Sequence, residues 1–322
     1  MGSWFTVVLS DTDNDIKSIH YSLWMLGLVG KSGKWKKGLD NFRLVHTGDW
    51  LNKSHPKQEV ITLFETMRDT LPESAKMVIL NGNHELAILQ KSDNGNTMGL
   101  SKAQLEFIRN QDIMYVHANN LFIHGYPTFE LLRLLIQLQE ESVDLNAFND
   151  RFRKAYYEGK YALFREREGM AILGDIRQAQ AYYRSKGSNG KSHGRVISQM
   201  LKKLGIDTVI HGHRPNMLVQ QDFEFKLDVP GIRFINNDNK ARLSKLGATL
   251  IKENDWVRFI NPREMYWAGG EKSYRKSLRK LLGTRKKDLN PAVEQPPVSL
   301  EPPLESLQSD PPPDSLQTRY EP

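Results

Sequence analysis

Short apolar runs separated by polar turns recur through the first two-thirds of the chain. Phe5–Ser10, Phe42–Thr47, Met77–Asn81, Asn120–His124 and Thr208–His211 are each compact and largely apolar, which predicts strands. Between several of them the apolar positions take a helical period. Ile16, Ile19, Leu23 and Leu26 make one stripe, and Val60, Leu63, Phe64 and Met67 make another. Asp15 stands where an N-cap of the first helix belongs. Strand–helix–strand alternation predicts an α/β fold, with helices packed on a sheet. Leu131–Arg165 carries helical spacing without a ligand-type cluster and reads as a helical insertion. Arg195–Leu204 reads as a later helix. Ile232–Asn236, Ala248–Ile251 and Trp256–Ile260 read as strands of a second sheet layer.

Composition narrows the picture. The chain has 322 residues and is 39% hydrophobic, enough for a sizeable core. The absence of cysteine excludes disulfides, thiolate metal sites and thiol catalysis. No stretch is apolar for long enough to span a bilayer, and no basic-then-apolar leader opens the sequence, so a cytoplasmic protein is expected. Lys272–Lys287 holds eight Lys or Arg among sixteen residues and reads as a basic helix over 271–287. From Asp288 onward the composition shifts, with nine of the fifteen prolines and seven acids against one base. That segment, 288–322, lacks the apolar surface to offset its ordering entropy and is expected to be a disordered Pro-rich tail. A folded domain over 1–270 is therefore expected. The net charge of +7 is concentrated before the tail, which suits a phosphorylated or otherwise anionic substrate.

The candidate chemistry lies at the strand ends. The first predicted strand runs into Asp11 and Asp13, the second into Asp49, the third into Asn83, His84 and Glu85, the fourth into His124, and the fifth into His211 and His213. Each end taken separately has a plain structural reading, as a helix cap or a buried imidazole. Five together are hard to assign to capping. In an open α/β sheet, ligands bind beyond the carboxyl ends of the strands, so residues scattered in sequence converge there. Carboxylate, amide oxygen and imidazole are ligands for Mn, Fe, Zn or Mg. Cations between Asp11 and Asp13 would offset the repulsion of acids placed so close together.

The order Asp-x-Asp, Gly-Asp, Gly-Asn-His-Glu, His-Gly, Gly-His resembles the calcineurin-like metallophosphoesterase superfamily over about Phe5 to Ile260. Asn81–Glu85 and Gly212–Pro215 are most similar to its phosphoprotein phosphatase branch, bacterial and phage members included. The resemblance implies a two-layered β-sandwich flanked by helices, holding two divalent metal ions. Mn²⁺ is the first expectation, with Fe, Zn and Mg as alternatives. It implies that Asp49 bridges the metals, that Asp11 and Asp13 bind the first, and that Asn83, His124 and His213 complete the second, with His211 in reserve. It implies that His84 is the general acid for the leaving oxygen.

The sequence departs from the family pattern at several points. Asp13 stands where the family has His. Asn52 replaces the acid that orients the catalytic His, and Lys53 replaces a phosphate-gripping Arg. Arg184, with Arg177 behind it, is the expected remaining phosphate clamp. The resulting expectation is a metal-dependent phosphatase acting on phosphomonoesters, with phosphoprotein (Ser/Thr or Tyr) as substrate. Two alternatives stand beside it. One is a dinucleoside polyphosphate hydrolase of the diadenosine tetraphosphate type, for which Trp50 and Tyr126 are the candidate base-stacking residues. The other is an inactive scaffold that recruits partners through its Pro-rich tail. No specific nucleic-acid partner is implied, and export into a host cell is the alternative location for a bacterial effector.

Overall fold

A computed structural model of the chain describes residues 5–30, 32–36, 39, 41–157, 183–186, 192–213, 229–238, 248–252 and 255–260. The expected domain boundary near 270, the basic segment 271–287, the tail 288–322, Arg177 and the end of the 131–165 insertion lie outside these residues.

Two sheets carry the fold. In the first, β1 (Phe5–Leu9), β2 (Phe42–His46) and β3 (Lys76–Ile79) run parallel in the order β3-β2-β1, and β8 (Ala248–Lys252) and β9 (Asp255–Ile260) continue it antiparallel beyond β1. In the second, β4 (Met114–His117) pairs antiparallel with β5 (Asn120–Ile123), which is followed in parallel by β6 (Thr208–His211) and β7 (Arg233–Asn236). The three later runs therefore do not form one layer of their own. β7 joins the second sheet. β8 and β9 join the first, where β8 covers the edge that β1 would otherwise leave unpaired.

Side-chain alternation explains the layering. Val8, Val45 and Val78 of the first sheet meet Tyr115, Phe122, Ile210 and Ile235 of the second in one buried seam. The intervening residues point the other way. Val7, Leu9, Leu44 and Ile79 pack under helices α1 (Ile16–Met25), α2 (Gln58–Asp69), α3 (Asn83–Asp93) and α4 (Lys102–Arg109). Leu121, Ile123, Val209 and Phe234 pack under α5 (Phe129–Glu140), α6 (Phe148–Tyr157) and α7 (His193–Lys203). Parallel strands buried on both faces read as continuous apolar runs, which is how they appear in the sequence. Truncating Ile210, fully buried in this seam, to Ala costs on the order of 2–5 kcal/mol.

The stripe beginning at Ile16 is α1, and Asp15 caps it by accepting a hydrogen bond from Ser18 N at 3.0 Å. The insertion resolves into α5, a 3-10 turn at Leu145–Ala147 and α6 over its described part. Sequence periodicity missed α3, α4 and β4. α3 begins inside the Gly-Asn-His-Glu motif and its polar residues blur the stripe, while α4 and β4 are only eight and four residues long. No helix among the described residues is long and apolar enough to cross a membrane.

Candidate metal and catalytic site

Six parallel strands, β1–β3 and β5–β7, end at one rim of the sandwich, and each is followed by a polar loop. The loops interlock through their backbones. Asp11 N donates to Gly48 O, Asp13 N to Asp49 O, Asn14 N to Trp50 O and Gly212 N to His124 O, at 3.0–3.1 Å. Asp11, Asp13, Asn14, Asp49 and His213 all have positive φ, between 45° and 74°. They are five of the nine non-glycine residues in that region among those described. Left-handed backbone disfavours a Cβ, and its clustering in one place marks a site over-determined by its surroundings. Gly48, at φ 104°, cannot be replaced for a second reason. A Cβ there would lie 2.7 Å from His124 Nδ1 and 2.8 Å from Gly82 N.

Four of the expected ligands meet. His124 Nε2 lies 3.0 Å from Asn83 Oδ1, 3.1 Å from His213 Nδ1 and 3.3 Å from Asp49 Oδ1. His213 Nδ1 lies 2.7 Å from Asn83 Oδ1. Ligand atoms of Asp49, His124 and His213 fall within 4.8 Å of one another. One carboxylate, one amide oxygen and two imidazole nitrogens facing a common point make a donor set that fits a borderline divalent cation. His124 Nδ1 lies 3.0 Å from Thr47 O, a contact of the kind that fixes the ring of a metal-binding histidine.

Asp11 adjoins this group. Both its carboxylate oxygens accept from His213 N at 3.1 Å, and Ser10 Oγ also donates to it. Asp13 is placed differently. Its Oδ1 is 2.9 Å from His84 Nδ1, which is also 3.0 Å from Leu51 O. His84 Nε2 in turn lies 3.3 Å from Asp49 Oδ2. The acid beside the His84 ring is thus Asp13. The Asn52 side chain instead accepts from Ser54 N and His55 N and closes its own turn. Lys53 and Arg184 are exposed. Burial removes two other candidates. Trp50 is 0% exposed and packs edge-on against Phe64 and Phe107, and Tyr126 is 2% exposed against His211 and Phe234. Neither offers a face to a nucleobase, so the support they lent to the nucleotide reading falls away.

The electrostatics follow from these distances. Burial opposes charge on His124, but Asp49, Asp11 and Glu85 outweigh it and push its pKa up to about 10. Burial opposes charge on Asp49 too, yet His124 and His84 hold its carboxyl well below the usual range. Asp11 is raised, first by burial and then by Asp238 and Asp49. Burial pulls His84 down, but the hydrogen bond to Asp13 and the charge of Asp49 leave it raised.

Several contributing residues carried no role in the sequence reading. Glu85 is fully buried, and its carboxylate accepts from Asp49 N at 2.9 Å, Gly82 N at 2.7 Å and Leu51 N at 2.7 Å. It ties the start of α3 to the Asp49 loop, and its place as the last residue of Gly-Asn-His-Glu was the available signal. His46 accepts from Gly48 N at Nδ1 (3.3 Å), so its Nε2–H faces Thr12 Oγ1 (3.1 Å) and joins the first two loops. Asn237 and Asp238 follow β7 as the candidate ligand residues follow the other strands. Asn237 Nδ2 donates to Val8 O at 3.0 Å and its N to His211 O at 2.7 Å. The strand-end rule applied to Ile232–Asn236 would have found them.

A calcineurin-like phosphoesterase family model matches residues 17–217, and the chain belongs to that family. Its members are metal-dependent phosphoesterases, and the donor set described here is the candidate metal site. Among solved structures, a cold-active protein tyrosine phosphatase aligns at a TM-score of 0.51 and 15% identity, covering 81% of this chain and 77% of that one. The cold-active protein-tyrosine phosphatase of a psychrophilic Shewanella species aligns at 0.49 and 16% identity, over 81% and 79% of the two chains. A protein serine/threonine phosphatase from Saccharomyces cerevisiae aligns at 0.45 and 14% identity, over 73% and 68%. At 15% identity the first of these likenesses establishes the fold alone. No curated protein matches the sequence.

Proposed function

We propose that this protein is a dinuclear-metal-dependent phosphatase acting on phosphomonoesters of proteins, on Ser/Thr or Tyr. The observation that carries this reading is the convergence of Asp49, Asn83, His124 and His213 on one point, with His84 on the other oxygen of Asp49. Asn83, His124 and His213 would hold one divalent cation, Asp11 the other, and Asp49 would be shared; Asp13, the further ligand that the resemblance implied, has its Oδ1 2.9 Å from His84 Nδ1. Mn²⁺ is the first candidate for both. Such ions supply Lewis-acid stabilisation of phosphoryl charge and a nucleophile at neutral pH.

The chain's own groups do the rest. With Nδ1 engaged by Asp13 and Leu51 O, His84 presents Nε2 as the proton donor to the leaving oxygen. Asp13, beside that ring, sets its orientation and favours its protonated form. Lys53 and Arg184 are the cations proposed to meet the phosphoryl oxygens, and Asn52 shapes the turn that carries Lys53. Protein stripped of metal should not hydrolyse 4-nitrophenyl phosphate or a phosphopeptide, and Mn²⁺ should restore both. Undiminished activity after dialysis and in excess EDTA would overturn the reading.

A further inference from the structure

The two proposed metal positions are unequally furnished. Asn83, His124 and His213 serve the second, together with the shared Asp49. The first draws only on Asp11 and Asp49, because Asp13 stands against His84 Nδ1 at 2.9 Å. Asp238 is a further buried carboxylate at the same rim, 1% exposed. It follows β7 as Asp11 follows β1, Asp49 follows β2 and His213 follows β6.

The loop that carries Asp238 is tied to the strands behind Asp11 and His213. Asn237 N donates to His211 O at 2.7 Å, at the end of β6, and Asn237 Nδ2 donates to Val8 O at 3.0 Å, in β1. The β6 loop in turn lies directly on Asp11. A Cβ added to Gly212 would collide with Ser10 Oγ and Asp11 Oδ2, and His213 N donates to both Asp11 oxygens. Asp238 N donates to Asn236 Oδ1 at 2.9 Å, which closes a turn and fixes the backbone of the residue next to Asn237. Electrostatics agree with that placement. Of the charges acting on the Asp11 carboxyl, that of Asp238 is the largest, ahead of His124 and Asp49. Buried like charges in one place repel, and a divalent cation held between them turns the repulsion into attraction.

We propose that Asp238 is a ligand of the first metal, in the place that Asp13 gives up to His84, so that Asp11, Asp49 and Asp238 make that position from carboxylates alone. The proposal rests on the dinuclear reading above. Oxygen-only donors suit hard cations such as Mn²⁺ and Mg²⁺, whereas the two imidazoles of the second position suit Zn²⁺ or Fe. The two positions therefore differ in the metal they prefer.

The test reads metal binding without turnover. Metal-free wild type and Asp238→Asn are titrated with Mn²⁺ and followed by calorimetry and by EPR of the free ion. Wild type should bind two equivalents. Asp238→Asn should bind one as before and the other more weakly, by at least the ~10–100-fold that outer-shell partners of a metal give. Two equivalents bound as tightly as in wild type would overturn the assignment. Melting separates a ligand from a merely structural acid. Without metal, Asp238→Asn should melt no lower than wild type, since a buried charge beside Asp11 is gone, and its gain in Tm on adding Mn²⁺ should be smaller. A lower metal-free Tm with an undiminished gain would leave Asp238 a structural group only. A measurement on wild type needs no variant to fold. One equivalent of Zn²⁺ added to the Mn²⁺-loaded protein should displace Mn²⁺ from the imidazole position, and the Mn²⁺ that stays should show no nitrogen coupling in electron spin-echo modulation. Nitrogen coupling there would overturn the carboxylate-only position. Loss of one Mn²⁺ equivalent in Asp238→Asn, with no hydrolysis of 4-nitrophenyl phosphate by wild type, would remove the phosphatase reading and leave the ligand standing.

Discussion

His46, at the end of β2, and His124, just beyond β5, are both essentially sealed from solvent at the same rim of the sandwich, yet their protonation goes opposite ways. Burial and the charge of His124 push His46 down to about 3. His211, at the end of β6, is also pushed down to about 3, by burial before the charges of His124 and His213. His124 experiences the same burial, but Asp49 at 3.3 Å, with Asp11 and Glu85 beyond, drives it up to about 10. Burial alone keeps a histidine neutral; a carboxylate in contact reverses the sign. The two neutral histidines serve as fixed hydrogen-bonding and packing groups. The charged one sits where a cation belongs, and a metal would take the place of its proton.

Removing the carboxylate breaks that contrast most severely. Asp49→Asn should lower the pKa of His124 toward those of His46 and His211, observable by NMR titration of the metal-free protein. It should also abolish metal-dependent hydrolysis, with a loss beyond the ~10⁴-fold that a single acid–base group supplies. A variant with near wild-type turnover would show that the metal centre lies elsewhere.

His84→Asn should lower kcat by ~10²–10⁴-fold on an alkyl phosphoester such as phosphoserine peptide. The loss should be much smaller on 4-nitrophenyl phosphate, whose leaving oxygen needs little protonation. Equal losses on both substrates would remove His84 from the leaving-group role.

Comparing His124→Gln with His46→Gln separates the two environments directly. The first removes a proposed ligand and should all but eliminate Mn²⁺ binding by calorimetry. The second alters the contacts to Thr12 and Gly48 and the edge-on packing on Phe64, and should weaken binding by ~10–100-fold, as for groups that orient ligands. Reversal of that order would contradict the assignment.

The smallest effect is on stability as a function of pH in the metal-free protein. His46 and His211 have folded pKa values of about 3 against an unfolded value near 6.5, so their share is fully present above pH 6.5 and lost progressively as pH falls toward 3. His124, raised to about 10, contributes fully below 6.5 and loses that share as pH rises toward 10. Glu85, raised to about 7 chiefly by burial, favours lower pH between 4.5 and 7 and partly offsets the acid-side loss. Tm should therefore fall on both sides of about pH 6.5, and Mn²⁺ should restore the alkaline limb. His211→Leu should fall less than wild type between pH 6.5 and pH 4. An identical fall in the two proteins would show that His211 is not held neutral by burial.

Much of this protein could be read from its residues in order. Five apolar runs became strands, two stripes became helices, Asp15 became a cap, and the polar residues after each run gathered at one rim. Those features are local: strand burial, helical period and capping depend on near neighbours in sequence. The gathering of ligand-type side chains at strand ends was legible for the same reason, because each follows a strand closely in sequence. Tertiary structure decided the rest. Which sheet received β7, β8 and β9 depended on which edges remained unpaired. Asp13 lies against His84 because α3 delivers the imidazole there, a pairing that separates residues 71 positions apart in the chain. Trp50 and Tyr126 went into cores because helices closed over them. The pKa contrast between His46 and His124 needed the distance to Asp49, and no sequence pattern contains it. Charge–charge and packing energies depend on separation in space, and only the folded chain fixes that separation.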